Sequence, residues 1–571
     1  MPAWLRGYQG AWLAGDLTAG LIVTVMLIPQ SLAYAMLAGL PPQVGLYASI
    51  LPLVAYAAFG SSMTLAVGPV AVASLMTASA LQPLAVSGSP EYAALAVQLA
   101  LISGVMLLAF GALRLGFLAY FLSHPVISGF ITGSAVLIAL GQIKHILGVK
   151  LAAGSGVLET AYGLVMALPR SNVATLVTGT ATLVFLLWAR SKMAGLLARW
   201  GIRRTLADLL AKLAPMAAVI LATAVVATWR LDRNGVAVVG QVPQGLPHLA
   251  LIVPGLDDLG LLWLPALLIA LVGFVESVSV AQSLALKRQQ RIVPDRELLG
   301  LGAANVASAL SGGYPVTGGF SRSVVNFAAG ANTPMAGVVS AALMALVIAA
   351  MTGLFHYLPH AVLAATIIVA VTGLVDMQTL REAWRYDRAE ALSLVGTALG
   401  VVALGVEAGI LTGVALSLGA LVWRSSRPHM AVVGRVSGTE HFRNVLRHKV
   451  ETVPGLFAIR VDESLFFANA TVVEDRIGDA LVADPSLRHV LLICSAVNQI
   501  DATALGVLTE LDRRLAACGV IFMLAEVKGP VMDRLRKTAF GERIQARVFL
   551  SVHDAFAFAA TPAPAASAAS T

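Results

Sequence analysis

Residues 15–62 read GDLTAGLIVTVMLIPQSLAYAMLAGLPPQVGLYASILPLVAYAAFGSS and contain two long apolar stretches in close succession. These stretches cover residues 17–37 and 43–59, and a break rich in glycine and proline at 39–42 separates them. A helix needs about 17 to 25 apolar residues to cross the ~30 Å hydrocarbon core of a bilayer. The segment therefore predicts two consecutive membrane-spanning helices.

Similar apolar stretches recur as far as Trp423, and we count about fourteen of them. The clear ones cover residues 17–37, 43–59, 93–111, 125–142, 172–189, 206–228, 260–280, 334–353, 389–404 and 406–423, and less regular ones begin near Val67, Glu297, Gly319 and His360. The composition agrees, because 58% of the residues are hydrophobic and 12% are charged, whereas soluble domains average about 25% charged. The predicted fold class is an α-helical polytopic membrane protein.

The charged residues are unevenly distributed along the chain. Residues 1–437 carry 39 of them, about 9% of that segment, whereas residues 438–571 carry 29, about 22%. The second segment alternates between strand and helix patterns, which indicates a small cytoplasmic α/β domain. The predicted organisation is a transmembrane domain at 1–424 with repeats at about 16–228 and 258–424, a linker at 425–437, the α/β domain at 438–560 and a disordered, low-complexity tail at 561–571.

Short basic loops indicate the orientation of the spans. They follow the sixth, eighth and twelfth spans and contain Arg190, Lys192, Arg199, Arg203 and Arg204, then Lys287, Arg288, Arg291 and Arg296, then Arg381, Arg385 and Arg388. Because positively charged loops stay in the cytoplasm, both termini are predicted to lie there, with the spans in a bacterial inner membrane. The same loops explain the net charge of +8, which therefore does not indicate a nucleic-acid partner.

Two spans are interrupted by glycine and proline. The first, TLAVGPVAVASLMTASAL at 64–81, is broken at Gly68 and Pro69, and the second, SGGYPVTGGFSRSVVNFAAGA at 311–331, begins with four glycines and a proline. Such starts favour extended backbone followed by a helix that begins in mid-membrane, where irregular backbone must be buried or line a cavity. One interrupted span in each half indicates the substrate site of a transporter with two repeats. An odd number of spans per half makes the repeats inverted.

Glu276 and Arg322 are the two ionisable residues that lie well inside apolar sequence. A charge at the bilayer centre costs at least about 2.5 to 3.5 kcal/mol, so each needs a partner or a water-filled cavity. Arg322 lies one turn into the second half-helix, where free N–H groups, the helix dipole and the guanidinium together predict an anion site. Gly318 and Gly319 allow close approach to the backbone, and Ser321 adds a hydroxyl donor.

Three roles are open for Glu276. It takes up a proton with the anion and couples transport to protons, or it stays ionised and binds Na⁺, or it pairs with Arg322 as a structural bridge between helices. Burial disfavours the charged carboxylate and a nearby arginine favours it, so the sequence leaves the choice open.

These features resemble those of the sulfate permease (SulP) family of anion transporters with a C-terminal STAS domain. The resemblance is carried by residues 15–62, AVGPVAV at 66–72, SRS at 321–323 and SAVNQIDATALGVL at 495–508. It implies fourteen spans in two inverted seven-helix repeats, a core domain that moves against a gate domain, a homodimer, and an anion held between the half-helices. The site residues that it implies by position are Gln30, Tyr34, Gly68, Pro69, Val70, Phe320, Ser321 and Arg322.

The chain departs from the family pattern at positions that bear on coupling. Gln30 is an amide where some prokaryotic members have a carboxylate tied to proton coupling. Val280 follows Glu276 by four residues, where sodium-coupled bicarbonate relatives have a threonine. We therefore expect a secondary active transporter of sulfate that is driven by protons through Glu276. Transport of bicarbonate or a C4-dicarboxylate, with protons or sodium, and uncoupled exchange or a channel are the alternatives.

No motif indicates enzyme chemistry. The sequence contains no Walker loop, and we predict no catalytic residue, bound metal or cofactor. In the STAS signature Asp501 is a predicted helix cap, and Ala502 stands where anti-sigma-factor antagonists have a phosphorylated serine. We interpret this domain as structural or regulatory, supporting the dimer or binding a cytoplasmic partner.

Overall fold

The computed structural model describes residues 2–120, 123–151 and 157–561. It divides into two compact units at Ser417, inside the last long helix of the membrane segment. The described first unit is mainly helical and the second contains a β-sheet, which confirms the predicted fold class. Residues 562–571, most of the predicted disordered tail, lie outside the described residues.

Each apolar segment predicted from the sequence contains a helix. The helices of this part of the chain are α1 Ala3–Arg6, α2 Leu13–Leu37, α3 Pro42–Tyr47, α4 Leu51–Phe59, α5 Ala71–Leu81, α6 Pro90–Ala112, α7 His124–Leu147, α8 Val157–Ala167, α9 Val173–Trp188, α10 Ala194–Arg199, α11 Arg204–Lys212, α12 Ala214–Trp229, α13 Leu256–Leu286, α14 Pro294–Leu310, α15 Phe320–Ala328, α16 Met335–Ala350, α17 His360–Thr372, α18 Met377–Tyr386, α19 Arg388–Leu404 and α20 Val406–Ser426. Among the described residues, eight helices are long and apolar enough to cross a membrane, or nine if the bent pair of α11 and α12 is one span. This number is below fourteen because some predicted spans hold shorter helices, such as the 11-residue α5 and the 9-residue α15.

The two interrupted spans meet in a short antiparallel ribbon. Strand β1, Val67–Gly68, pairs with β2, Thr317–Gly318. β1 leads into α5 and β2 leads into α15, which confirms the prediction of extended backbone followed by a half-helix. An inverted relation between the two halves of the chain produces such an antiparallel pairing of equivalent segments.

The second unit is an α/β domain. Its described strands are β3 Met430–Arg435, β4 Phe442–Asn444, β5 Leu456–Val461, β6 His489–Ile493, β7 Ile521–Ala525 and β8 Val548–Phe549, and its helices are α21 Ala470–Ala483, α22 Ala502–Ala517, α23 Gly529–Leu535, α24 Ala539–Ile544 and α25 Val552–Ala560. The six strands form one sheet in the order β4-β3-β5-β6-β7-β8, parallel from β5 to β8. Asp501 caps α22 as predicted, because its carboxylate accepts the Ala504 N–H at 2.7 Å.

The structure differs from the predicted linker at 425–437. Strand β3 lies inside that range and pairs with both β4 and β5. Val433 on β3 is 2% exposed, so the strand contributes to the core of the domain. Sequence reasoning missed it because an apolar run of six residues or fewer does not by itself distinguish a strand from other structure.

Candidate functional site

Serine hydroxyls hold the ribbon where the spans are broken. Ser277 of α13 accepts the N–H of Gly318 at 2.8 Å, and Ser323 of α15 accepts the N–H of Ala66 at 2.9 Å. Backbone groups at membrane depth have no water to bind, so side chains of neighbouring helices must supply their partners. These hydroxyls therefore stabilise the irregular backbone in front of both half-helices.

Two buried amide side chains add to this support. Asn305 of α14 both donates to the carbonyl of Val316 and accepts its N–H, each at 2.9 Å. Asn326 of α15 donates to the carbonyl of Thr64 at 3.0 Å. Sequence reasoning did not single out these residues, although an amide inside an apolar span is a signal for a buried polar contact.

Arg322 connects the starts of the two half-helices. Its side chain is 2% exposed, and Nη1 donates to the carbonyl oxygen of Pro69 at 2.5 Å. Nε and Nη2 are buried and have no hydrogen-bond partner among the described residues. A buried donor without a partner costs about 1–3 kcal/mol, and more when it is charged. An acceptor placed beside these two groups would therefore be bound favourably.

The close approach of Arg322 to the backbone depends on Gly319. A Cβ atom added at Gly319 would lie 2.9 Å from Nη2 of Arg322, closer than side-chain carbons normally come to other atoms. The lack of a side chain at Gly319 thus lets the guanidinium of Arg322 lie close to the backbone at this point.

Both half-helices begin at the same place. α5 starts after Val70 and α15 starts after Gly319, and both of these preceding residues have extended backbone. The first N–H groups of a helix have no partner within it, and the helix dipole adds about half a positive charge there. Together with Arg322, the two helix starts concentrate positive potential and hydrogen-bond donors in one region.

A cavity of about 80 Å³ lies against this region. The described residues that line it are Gln30, Tyr34, Val70, Ala71, Val72, Glu276, Gly319, Phe320, Ser321, Arg322, Ala370, Val371 and Leu374. One water needs about 10–15 Å³ of such volume, so the cavity has room for a small ion with water. Its donors and positive charge suit an anion.

The cavity brings together most of the residues predicted for the site. Of the ten, eight are among its described lining residues, and Gly68 and Pro69 are not. The carbonyl oxygen of Pro69 accepts a hydrogen bond from Arg322, and Gly68 lies in the β1–β2 ribbon. Sequence reasoning missed the wall formed by the end of α17 and Leu374, because its apolar residues carry no chemical signal.

Glu276 lines the same cavity, and its carboxylate has no ion-pair or hydrogen-bond partner among the described residues. The described residues include no ion pair within 4.0 Å and no hydrogen bond for this side chain. The structural bridge between Glu276 and Arg322, one of the three alternatives, is therefore not formed in this structure. The side chain is partly accessible from the cavity, where it can exchange a proton or meet a cation.

A buried carboxylate holds the chain just before the first half-helix. Glu297 of α14 is 0% exposed and accepts hydrogen bonds from the Tyr56 hydroxyl at 2.7 Å, from Ser61 N–H and Oγ, and from the Ser62 N–H. In the sequence Glu297 marks only the start of a less regular span, and no motif assigns it a role. The four donors instead make it an anchor for the segment that leads into β1.

A second buried carboxylate holds the chain just after the other half-helix. Asp16 of α2 is 0% exposed and accepts the N–H groups of Asn332 and Thr333 and the hydroxyl of Thr333, the last at 2.6 Å. Acids near span ends resemble solvent-exposed residues in sequence, so nothing marked Asp16 as buried. Glu297 therefore holds the chain that enters the first broken span, and Asp16 holds the chain that leaves the second.

The chain matches known protein families over most of its length. Residues 13–397 match the model of the Sulfate permease family, and residues 447–555 match that of the STAS domain. The chain is 35% identical over 541 residues to a probable sulfate transporter of Mycobacterium tuberculosis, with 94% of each protein covered. It is 34% identical over 566 residues to the chloroplastic sulfate transporter 4.1 of Arabidopsis thaliana, with 97% of this chain and 81% of that protein covered.

Two solved structures have a similar fold. The murine Solute Carrier 26 family member A9 anion transporter in the inward-facing state superposes with a TM-score of 0.88 at 22% identity, over 98% of this chain and 93% of that one. The transmembrane domain of a cyanobacterium bicarbonate transporter superposes with a TM-score of 0.58 at 22% identity, over 72% of this chain and 99% of that one. At such identities the likeness concerns the fold alone.

Proposed function

The chain belongs to the sulfate permease family, and from this premise we propose that it is a secondary active transporter that carries sulfate across the membrane by alternating access. Anion transport is the activity of the family, and sulfate is named in the relatives that match nearly the whole chain. The observation that carries the proposal is that Arg322 lines a small cavity and has two buried donors, Nε and Nη2, without a partner among the described residues.

Sulfate fits the chemistry of this cavity. It is a compact dianion whose oxygens accept hydrogen bonds, and the cavity offers the N–H groups at two helix starts together with the guanidinium of Arg322. Helix starts bind sulfate and phosphate through their N–H groups and dipole. Charge-assisted hydrogen bonds from an arginine are about twice as strong as those between neutral groups.

Glu276 supplies the proposed coupling. A fixed carboxylate in the same cavity as a dianion would repel it, so we infer that Glu276 takes up a proton when sulfate binds. The carboxylate has no hydrogen bond to another described residue, which leaves it free to change its protonation. Transport would then be sulfate–proton symport, with sodium as the alternative cation.

We propose that the helices on the two sides of the cavity move relative to each other during transport. One wall consists of α5, α15 and the neighbouring parts of α2 and α13, and the other is the end of α17 with Leu374. Hydrogen bonds across the ribbon tie the first wall together, whereas the α17 residues meet it through apolar side chains. We propose that movement between these walls opens the cavity to one side of the membrane and then to the other.

The basic loops support a proposal for the orientation of the chain, and the family resemblance supports proposals for its oligomeric state and the role of its STAS domain. We propose a bacterial inner membrane location with both termini in the cytoplasm, a homodimer, and a STAS domain that supports the dimer or binds a cytoplasmic partner. The arginine clusters after even-numbered spans support the orientation.

Competition between anions tests the proposed substrate. Purified protein in liposomes takes up labelled sulfate while unlabelled sulfate, bicarbonate or fumarate is added in excess. We expect unlabelled sulfate to reduce uptake at the lowest concentration. If bicarbonate or fumarate competes better, one of these alternatives replaces sulfate, and if no anion is taken up, the transport proposal fails.

A further inference from the structure

Helix α18 lies directly after the wall of the cavity and is mostly exposed. Four residues separate it from the end of α17, and Asp376 caps it by accepting the N–H groups of Gln378 and Thr379 at 3.0 Å. No residue of α18 is fully buried. Its partly buried positions, Thr379, Leu380 and Ala383, share one face, so the opposite face is open.

The open face of α18 combines apolar and basic side chains. Met377 is 59% exposed and Trp384 is 52% exposed, and both Arg381 and Arg385 are exposed as well. At 3.6 residues per turn these four side chains fall within a sector of about 100°. Arg388, exposed at the start of α19, adds a third arginine close by in sequence.

Among the described residues, the three arginines have no ion-pair partner. No ion pair between described residues includes Arg381, Arg385 or Arg388. The acid on the same helix, Glu382, accepts a hydrogen bond from Gln378 at 2.7 Å. The exposed face therefore carries arginines without an ion-pair partner among the described residues, beside a large aromatic side chain. Four acids flank them in sequence, Asp376, Glu382, Asp387 and Glu390.

Such a face matches the surface of an anionic membrane. Tryptophan prefers the interface between headgroups and acyl chains, and long arginine side chains near a helix end extend their charged heads to the same depth. Each basic residue near an anionic surface adds about a five-fold preference for it. Arginine also binds phosphate through two parallel hydrogen bonds.

We propose that the exposed face of α18, at the end of the candidate span His360–Tyr386, lies at the membrane interface, where its arginines bind the phosphate headgroups of anionic phospholipids and Met377 and Trp384 lie at the boundary of the acyl chains. The site is distinct from the anion cavity and does not depend on the transported substrate. Because α18 continues the chain that forms one wall of that cavity, bound lipid would hold the end of α17 at the membrane surface. The competing explanation is that the arginines serve only to orient the spans during insertion.

Quenching of tryptophan fluorescence by brominated lipids tests this site without any transport. The protein is reconstituted with increasing fractions of brominated phosphatidylglycerol or brominated phosphatidylcholine, and the contribution of Trp384 is obtained by difference from Trp384→Phe. We expect half-maximal quenching of Trp384 at a fraction of phosphatidylglycerol several-fold below that of phosphatidylcholine. In the double variant Arg381→Gln/Arg385→Gln this preference should fall by about five-fold or more.

Two further variants make the result decisive. Arg170→Gln/Arg233→Gln removes the same charge from two exposed arginines elsewhere in the chain, which follow the predicted fifth and seventh spans. This variant should leave the preference for phosphatidylglycerol unchanged. Arg381→Lys/Arg385→Lys keeps the charge and should keep most of the preference, which controls for faulty folding. Equal quenching by the two lipids, or an equal loss in the control double variant, would overturn the proposal while leaving sulfate transport untouched.

Discussion

The guanidinium of Arg322 and the carbonyl oxygen of Pro69 join the starts of two half-helices that lie 253 residues apart in sequence, with an Nη1–O distance of 2.5 Å. This bond uses one of the side chain's donors and fixes the position of the others. Nε and Nη2 stay buried and without a partner among the described residues, on a residue that lines the cavity. The structural and the proposed binding role of the arginine are thus carried by different atoms of one side chain.

Gly319→Ala should impair sulfate uptake by moving Arg322. The added Cβ would lie 2.9 Å from Nη2, so the guanidinium has to shift away from the cavity wall. Loss of one charge-assisted hydrogen bond corresponds to roughly 10-fold weaker binding or more. We expect a KM for sulfate raised by about that factor in liposome uptake. Gly337→Ala is the control, since its Cβ would meet Leu53 only at 3.7 Å, and an equal effect of both variants would refute the argument.

Glu276→Gln should separate coupling from exchange. An amide has the shape of the protonated acid but cannot release a proton, so a pH gradient should no longer drive sulfate accumulation. Exchange of internal for external sulfate should continue at a comparable rate. Glu390→Gln, a change at an exposed residue in the first turn of α19, should keep both activities. Persistent pH-driven accumulation in Glu276→Gln would show that another group carries the proton.

Glu297→Ala should destabilise the protein strongly. It removes a buried carboxylate that accepts four hydrogen bonds, and it leaves the Tyr56 hydroxyl and Ser61 without an acceptor. Each hydrogen bond to a charged group contributes about 1.5–3 kcal/mol, so we expect a loss on the order of 3 kcal/mol or more. Thermal unfolding in detergent measures it, with Glu91→Ala at an exposed helix start as the control. Equal unfolding temperatures for the two variants would contradict the anchoring role.

Cysteine labelling should report the orientation of the chain. Cys518 is exposed, whereas Cys494 is buried and its burial raises the pKa of the thiol to about 12. Only the thiolate reacts with alkylating reagents, so near pH 8 Cys494 stays protonated and unreactive. A membrane-impermeant maleimide should label Cys518 in inverted membrane vesicles and not in intact spheroplasts. Labelling in intact spheroplasts would place the C-terminal domain outside.

The sequence predicted the parts of the fold that depend on local chemistry. Span length marked the helices, and glycine and proline at Gly68, Pro69 and Gly319 marked the two broken spans, because backbone conformation limits which residues can stand there. A lone charge in apolar sequence was sufficient to single out Arg322. Eight of the ten site residues predicted from the sequence are among the described residues that line one cavity.

The parts that the sequence did not predict depend on tertiary packing. The apolar wall at Ala370, Val371 and Leu374 looks like any other span, because only the fold decides which apolar face meets the cavity. Asp16 and Glu297 are buried because distant loops supply their donors, and no local pattern reports a partner more than two hundred residues away. Strand β3 was missed since its pairing partners, not its short sequence, determine its conformation.

The position of a bound anion tests the central claim most directly. Selenate has the shape and charge of sulfate and scatters X-rays anomalously, so crystals grown with selenate would locate the anion without ambiguity. We expect one anomalous peak in the membrane unit, within hydrogen-bond distance of Nε or Nη2 of Arg322 and next to Val70 and Ser321, and we expect its loss in Arg322→Gln. A peak elsewhere in the membrane unit, or an unchanged peak in Arg322→Gln, would contradict it.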